Sequence, residues 1–271
     1  MKTINNQQWG DVWSKDLKSY DPDAELDAIN SENLSVRCQK ILRYLHKKIG
    51  DLDGKQTIEI GCGGAIYSLI LARMGARPTL LDYSPDAIIL AKRNLDALGL
   101  QGELIEADVF NPPSDLINRF DVAMSFGTVE HYRYPERLDI CRAHMKLLKP
   151  GGVCIISTPN ILFLPHEILK AGLMMKNKWF LGYEGSFSPV ELRKVGRKLG
   201  LRDMKVIGSS WRADFMRYVR IVRETSTYRR LFNVVGKDAG SSTNLISHKH
   251  HWLDDFLGHD IVLIGVKGDS N

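Results

Sequence analysis

Cysteine is scarce in this chain of 271 residues, and the four present (Cys38, Cys62, Cys141, Cys154) form no CxxC pair. That spacing offers neither a disulfide framework nor a zinc site, and Cys62 and Cys154 lie inside apolar runs. Reduced, buried thiols of a cytoplasmic protein are expected instead. No run of eighteen apolar residues is present, so no transmembrane helix is expected. The opening MKTINNQQWGDVWSKD has no apolar core, so no signal peptide is expected. Internal repeats and low-complexity tracts are missing. Neither sign of charge dominates: 37 Lys and Arg stand against 32 Asp and Glu, a formal net charge of +5. This mildly basic balance suits an anionic substrate, a nucleic acid or a membrane surface without choosing among them. What remains is ordinary for a folded domain, with 44% hydrophobic and 25% charged residues. It excludes a collagen and a largely disordered chain, and the length supports a core without staples.

Residues 1–50 read as a helical, polar arm. Leu34, Val36, Ile41, Leu42, Leu45 and Ile49 recur at helical spacing, and Trp9, Trp13 and Tyr20 precede them. From there the texture alternates. Short β-rich runs at 56–62, 78–83, 103–107, 120–126 and 153–157 are separated by helical stretches at 65–74, 85–98 and 135–148. Ser84 caps the second of these, with Pro85 at its first position. Such alternation predicts a doubly wound α/β sheet, mostly parallel. Beyond Pro159 it breaks. Residues 160–188 and 212–259 read as insertions, separated by a helix at 189–199 capped by Ser188 and a strand at 204–209. A last strand spans 261–266.

The first strand ends in Glu59-Ile60-Gly61-Cys62-Gly63-Gly64-Ala65. Glycines at a strand-to-helix turn let backbone approach a ligand, and the helix start beyond offers free N–H groups. A dinucleotide fingerprint would need glycine at position 66, where Ile66 stands, which weakens an oxidoreductase reading. Asp82 ends the second strand, placed to accept both hydroxyls of a ribose. Asp108 ends the third, beside Val109 and Phe110, as suits an adenine ring. Three strands thus deliver Gly61 and Gly63, Asp82 and Asp108 to their C-terminal ends, where open α/β sheets bind ligands.

With Leu81-Asp82-Tyr83-Ser84, Glu106-Ala107-Asp108, Phe120-Asp121-Val122 and Leu148-Lys149-Pro150-Gly151-Gly152, this set resembles the class I S-adenosylmethionine-dependent methyltransferases, in the branch that includes quinone-biosynthesis and small-molecule O-methyltransferases. The resemblance covers about residues 50–160. It implies a Rossmann-like seven-stranded sheet with its last strand antiparallel. It implies S-adenosylmethionine as cofactor, leaving as S-adenosylhomocysteine. Gly61, Cys62 and Gly63 would lie against its methionine part, Glu59 near its amino group, Asp82 on the ribose, and Tyr83, Asp108 and Val109 around the adenine. Relatives often carry a third glycine where this chain has Ala65.

Methyl transfer from a sulfonium needs alignment and, for a hydroxyl acceptor, removal of a proton. The loop from Phe126 to Tyr132 borders the methyl by position, and His131 is its candidate base. Tyr20, Trp9 and Trp13 are candidates for a lid over the cofactor, and Tyr20 and Phe126 are expected to contact it. His166 and Glu184 are expected to be solvated. The cluster His248, Lys249, His250 and His251 is expected to be a surface loop, with no metal site. Residues 212–237 carry Arg212, Arg217, Arg220, Arg223, Arg229, Arg230 and Lys237 among apolar residues, which suits an anionic acceptor or a membrane surface. The expected function is methyl transfer to a small-molecule or lipid-linked acceptor, at oxygen, with the arm (1–50) and the insertions over the sheet of a single 51–271 domain. An RNA-modifying methyltransferase and a non-catalytic S-adenosylmethionine-binding protein stay open as alternatives. Nucleic acid is disfavoured because no recognised RNA module accompanies the core.

Overall fold

A computed structural model describes residues 6–224 and 251–268. The histidines at 248 and 250 and the basic stretch beyond residue 224 lie outside the described residues.

Seven strands form one sheet: β1 (Gln56–Ile60), β2 (Arg77–Asp82), β3 (Glu103–Glu106), β4 (Phe120–Phe126), β5 (Leu148–Pro159), β6 (Leu201–Gly208) and β7 (Asp260–Lys267). Their order is β3-β2-β1-β4-β5-β7-β6. The first five pair in parallel, and β7 runs antiparallel to both neighbours. The order reverses beside β1, so the crevice at its C-terminal end is the switch point where such sheets hold ligands.

Alternation along each strand sorts side chains to two cores. Leu80, Val122, Met124, Ile155 and Ile264 belong to one core, and Ile58, Ile60, Leu81, Ala123, Ile156 and Leu263 to the other. Both faces are therefore covered, which is why the strands read as continuous apolar runs. The helices α4 (Ile66–Ala72), α5 (Pro85–Ala97), α6 (Glu136–Leu147) and α8 (Pro189–Lys198) supply that cover. Ser188 caps α8, its hydroxyl accepting from Glu191 N at 3.1 Å, with Pro189 at the first turn.

The N-terminal residues are not one polar arm with a single apolar stripe. They form three helices, α1 (Asn6–Lys18), α2 (Pro22–Asn33) and α3 (Val36–Ile49). Leu34 closes α2 and is exposed, so it does not share the buried stripe of Val36, Ile41 and Leu45. Ser35 starts α3 afresh, its hydroxyl accepting from Cys38 N at 3.0 Å. Ion pairs then fasten α3 to the far end of the chain: Arg37 to Asp260 at 2.7 Å and Lys40 to Asp255 at 2.6 Å. The first insertion contributes α7 (Leu164–Met175), the second begins with α9 (Trp211–Glu224), and α10 (Asp254–Leu257) precedes β7. All four cysteines are buried and free.

Candidate active site

The turn after β1 is built for close approach. Gly61 and Cys62 N–H groups donate to Leu81 O at 2.8 and 3.2 Å. Gly61 has φ +64°, and a Cβ there would come within 2.7 Å of the Thr128 side chain. Gly63 has φ +47°, and its Cβ would run into the Trp13 indole. Both positions need glycine for conformation and for space. Ala65 also sits in the left-handed region, at φ 60° and ψ 28°. A glycine would adopt that geometry without the strain of about 1–2 kcal/mol that a side chain brings.

A cleft opens over this turn. Gly61, Asp82, Tyr83, Asp108 and Val109 line one side; Thr128, His131 and Tyr132 line another; Trp9 and Trp13 of α1 close over it. The indoles stack with centroids 6.0 Å apart, and Trp9 meets the His131 ring edge-on at 4.7 Å. Asp82 is buried and accepts from Gly63 N at 3.1 Å and Ser84 N at 3.0 Å. Burial pushes its pKa up, and those N–H groups oppose the rise. Each oxygen still has a lone pair for a further donor. The Tyr83 hydroxyl is buried with no partner, an orphan that a bound ligand would satisfy. Asp108 is exposed at the rim, where it accepts from Phe110 N at 3.0 Å. A glycine cradle, a carboxylate with spare acceptors, an orphaned hydroxyl and aromatic walls fit S-adenosylmethionine.

The remaining expected cofactor residues do not line this cleft. Glu59 alternates to the α4 face of β1, opposite Ile58 and Ile60, and accepts from Ser68 N at 3.0 Å and Ser68 Oγ at 2.6 Å. Burial pushes Glu59 up to about 7. Cys62 is buried at the turn. Phe126 stacks on Tyr67 with centroids 3.5 Å apart. Tyr20 lies under the Arg93 guanidinium at 5.5 Å.

His131 ends a short 3-10 turn (Val129–His131) and is 5% exposed. Its Nδ1 lies 2.9 Å from the Tyr183 carbonyl. Burial holds its pKa below the ordinary value, against the Tyr183 and Gly127 carbonyls and the Glu184 charge, all of which favour the protonated ring. Its neighbour Glu130 is 2% exposed, and one of its oxygens has no partner. Burial pushes that carboxyl well above the usual range, favouring its uncharged form.

His166 and Glu184 are not solvated, contrary to expectation. They meet at 2.8 Å with side chains 10% and 4% exposed. Helix α7 folds back so that His166 faces the 183–186 strip, an arrangement that local periodicity does not encode. Thr128 and Tyr132 were within the loop singled out by sequence, although no role was assigned to them. The Tyr183 carbonyl carried no signal at all, because every residue has one. No group of three or more candidate metal ligands exists among the described residues.

Glycine cradle, ordered acids and sheet topology define a Rossmann-like methyltransferase site. A family model described as a methyltransferase domain matches residues 58–152. A ubiquinone biosynthesis O-methyltransferase of Actinobacillus pleuropneumoniae serotype 5b is 31% identical over 159 residues, 56% of this chain and 67% of that one. Its counterpart in Proteus mirabilis is 34% identical over 119 residues, 44% of this chain and 48% of the relative. The match thus spans from about half to two thirds of the length of these curated relatives. Among solved structures, an S-adenosylmethionine-dependent methyltransferase of Thermotoga maritima superposes with TM-score 0.57 at 20% identity, covering 90% of this chain and 91% of its own. Magnesium protoporphyrin IX methyltransferase of Synechocystis PCC 6803 gives 0.52 at 14% identity, over 85% and 81%. The chain belongs to the class I S-adenosylmethionine-dependent methyltransferases, and S-adenosylmethionine is its methyl donor.

Proposed function

We propose that this protein methylates a hydroxyl oxygen of a small molecule and that His131 takes the hydroxyl proton. The observation that carries the reading is His131 itself: an imidazole at the cleft wall, with Nδ1 engaged by a carbonyl and a pKa held below 6.5 by burial. Such a ring is neutral at pH 7 and ready to accept a proton. The names of the curated relatives support oxygen as the acceptor atom. S-adenosylmethionine, when bound, supplies a methyl group activated on a sulfonium. In this reading Gly61 and Gly63 cradle its methionine end, Cys62 serves through the backbone of the turn between them, and Asp82 takes the ribose hydroxyls. Tyr83, Asp108 and Val109 surround the adenine. Glu59 and Phe126 act from behind the cleft wall, through Ser68 and Tyr67. Trp9 and Trp13, with Tyr20 anchoring α1 against Arg93, make residues 1–50 a lid that excludes water.

The acceptor is a lipid-linked or otherwise apolar body with an anionic end. Leu164, Ile168 and Met175 are exposed at one face of α7, and Phe215 and Met216 on α9, beside exposed Arg212, Arg217 and Arg220. Apolar side chains rimmed by cations suit an anionic bilayer surface. No described helix is long and apolar enough to cross a membrane. We place the protein in the cytoplasm, where its buried thiols stay reduced.

Tritium transfer from methyl-labelled S-adenosylmethionine to 3,4-dihydroxybenzoate and to a prenylated catechol, with the product identified by mass spectrometry, tests the reading. His131→Ala should lower turnover about 10²–10⁴-fold with S-adenosylmethionine affinity within a few fold. Label recovered only at nitrogen or carbon, or undiminished turnover in the variant, would refute it.

A further inference from the structure

We propose that residues 183–185 form a positioning bracket for His131. The Tyr183 carbonyl keeps the imidazole proton on Nδ1, and the Glu184 carboxylate, clamped by the insertion, stabilises the charged ring formed when Nε2 takes a proton. The proposal rests on His131 as the base and adds the groups that prepare it.

The Tyr183 oxygen lies 2.9 Å from His131 Nδ1. A carbonyl can only accept, so Nδ1 carries the hydrogen and Nε2 is the nitrogen that gains or loses a proton. The strip is fastened to the same loop at further points. Gly185 N donates to Glu130 O at 2.9 Å. Arg137 donates from Nη2 to Gly185 O at 2.8 Å and from Nε to Tyr132 O at 2.9 Å. One guanidinium thus joins the bracket to the residue after His131. Gly185 permits this approach, because a Cβ there would run into Arg137.

Glu184, between these anchors, turns into the insertion. Its carboxylate meets His166 Nε2 at 2.8 Å and Lys170 Nζ at 3.4 Å. Lys170 also reaches Glu167 at 3.0 Å and Ser186 at 2.9 Å. The Glu184 and Lys170 side chains are 4% and 9% exposed. Burying such charges is unfavourable before pairing, and apolar residues dock an insertion as well or better. Glu184 follows in the chain the residue whose carbonyl meets His131, so its charge acts on that ring and favours the protonated form. Burial alone would raise the Glu184 pKa; His166, Lys170 and His131 hold it below the usual carboxylate range. It is therefore ionised throughout the neutral range. The other charge acting on His131 is Arg137, which disfavours the imidazolium, while the Gly127 carbonyl favours it. Glu130 stands beside His131, and burial favours the uncharged form of that carboxyl. When the acceptor O–H proton moves to Nε2, the electron pair stays on the acceptor oxygen. The imidazolium is then held by the Tyr183 carbonyl and the Glu184 charge.

Long-range proton–nitrogen correlation spectra of the histidine-labelled protein, saturated with S-adenosylhomocysteine, test this directly. His131 is assigned by the signal lost in His131→Gln. The wild type should show the Nδ1–H tautomer. In Glu184→Gln the His131 titration midpoint should fall by about one unit, a tenfold loss of proton affinity, and Glu184→Asp should recover part of it. A dominant Nε2–H tautomer overturns the bracket, and this observation needs no variant to fold. A midpoint unmoved in Glu184→Gln, with only the melting temperature lowered, reduces Glu184 to a structural tie and overturns its charge role. Undiminished turnover in His131→Ala would end the base assignment while leaving the spectra in place, so the two failures are distinguishable.

Discussion

Asp82 closes the glycine turn and, in the proposed reading, also takes the ribose, and substitution should separate the two roles. Its carboxylate is the acceptor for Gly63 N and Ser84 N, so it holds the glycine turn closed before any ligand arrives. Asp82→Ala leaves both N–H groups without that partner. Each buried donor so orphaned costs about 1–3 kcal/mol. Part is returned, because burial disfavours the charged carboxylate in the first place and because water enters the vacated space. A net loss of about 2–4 kcal/mol is expected, on the order of 4–16 °C in melting temperature for a domain of this size. The ribose contribution is separate. Charge-assisted hydrogen bonds of about 1.5–3 kcal/mol correspond to a roughly tenfold to 150-fold weaker affinity for S-adenosylmethionine. Asp82→Asn keeps the volume and one acceptor oxygen, but its amide faces a backbone N–H donor to donor. It should lose about half the stability and most of the binding gain. Thermal unfolding of the cofactor-free protein and calorimetric titration with S-adenosylmethionine, on both variants, read the two effects. A melting temperature within about 1 °C of wild type in Asp82→Ala would refute the turn-closing role. Wild-type affinity in Asp82→Asn would remove Asp82 from the ribose.

Glu59 gives a pH test. Burial raises its pKa from 4.5 to about 7, so the folded state holds this proton more tightly than the unfolded chain. The stability it contributes is full below about pH 4.5 and is lost as pH rises through about 7. Glu59→Gln stays neutral and should therefore gain on wild type by up to about 3 kcal/mol between pH 4.5 and 8. A melting-temperature difference that is flat with pH would contradict the assignment. For the exposed face of α7, flotation should show binding to phosphatidylglycerol vesicles and little to phosphatidylcholine. Ile168→Asp with Met175→Asp should abolish it, and equal flotation of the double variant would sink the membrane reading.

The sheet was legible because both its faces are buried. Residues 120–126 read as a β-rich run and are a strand, Phe120–Phe126. The same logic misplaced the start of β5. Pro150, Gly151 and Gly152 look like punctuation, yet Leu148 already pairs with Phe120 across an irregularity and draws the strand back to Leu148. A pairing partner 28 residues away overrides a local breaker signal. The acids were legible for a related reason. Asp82 ends its strand, and Asp108 stands just past the end of β3, so a parallel sheet carries them to one edge. Glu59 shows the limit of that argument. It lies two residues before Gly61, near the cleft in sequence, but strand alternation turns it to the α4 face and onto Ser68.

The insertion resisted reading for a different physical cause. His166 and Glu184 are polar, eighteen residues apart, and sit in a segment whose exposed Leu164, Ile168 and Met175 suggest a surface. Each alone is best solvated, because burying either singly is unfavourable. Only the pair, with Lys170 between them, makes burial affordable, so the expectation for each residue taken separately pointed the wrong way. The same holds for Tyr183, which acts through its backbone. What identifies such groups is the set of donors and acceptors that must be matched once the chain has folded. Here that matching leads from the insertion to the Nδ1 of His131, the candidate base of a loop that strand order brings to the C-terminal edge of the sheet.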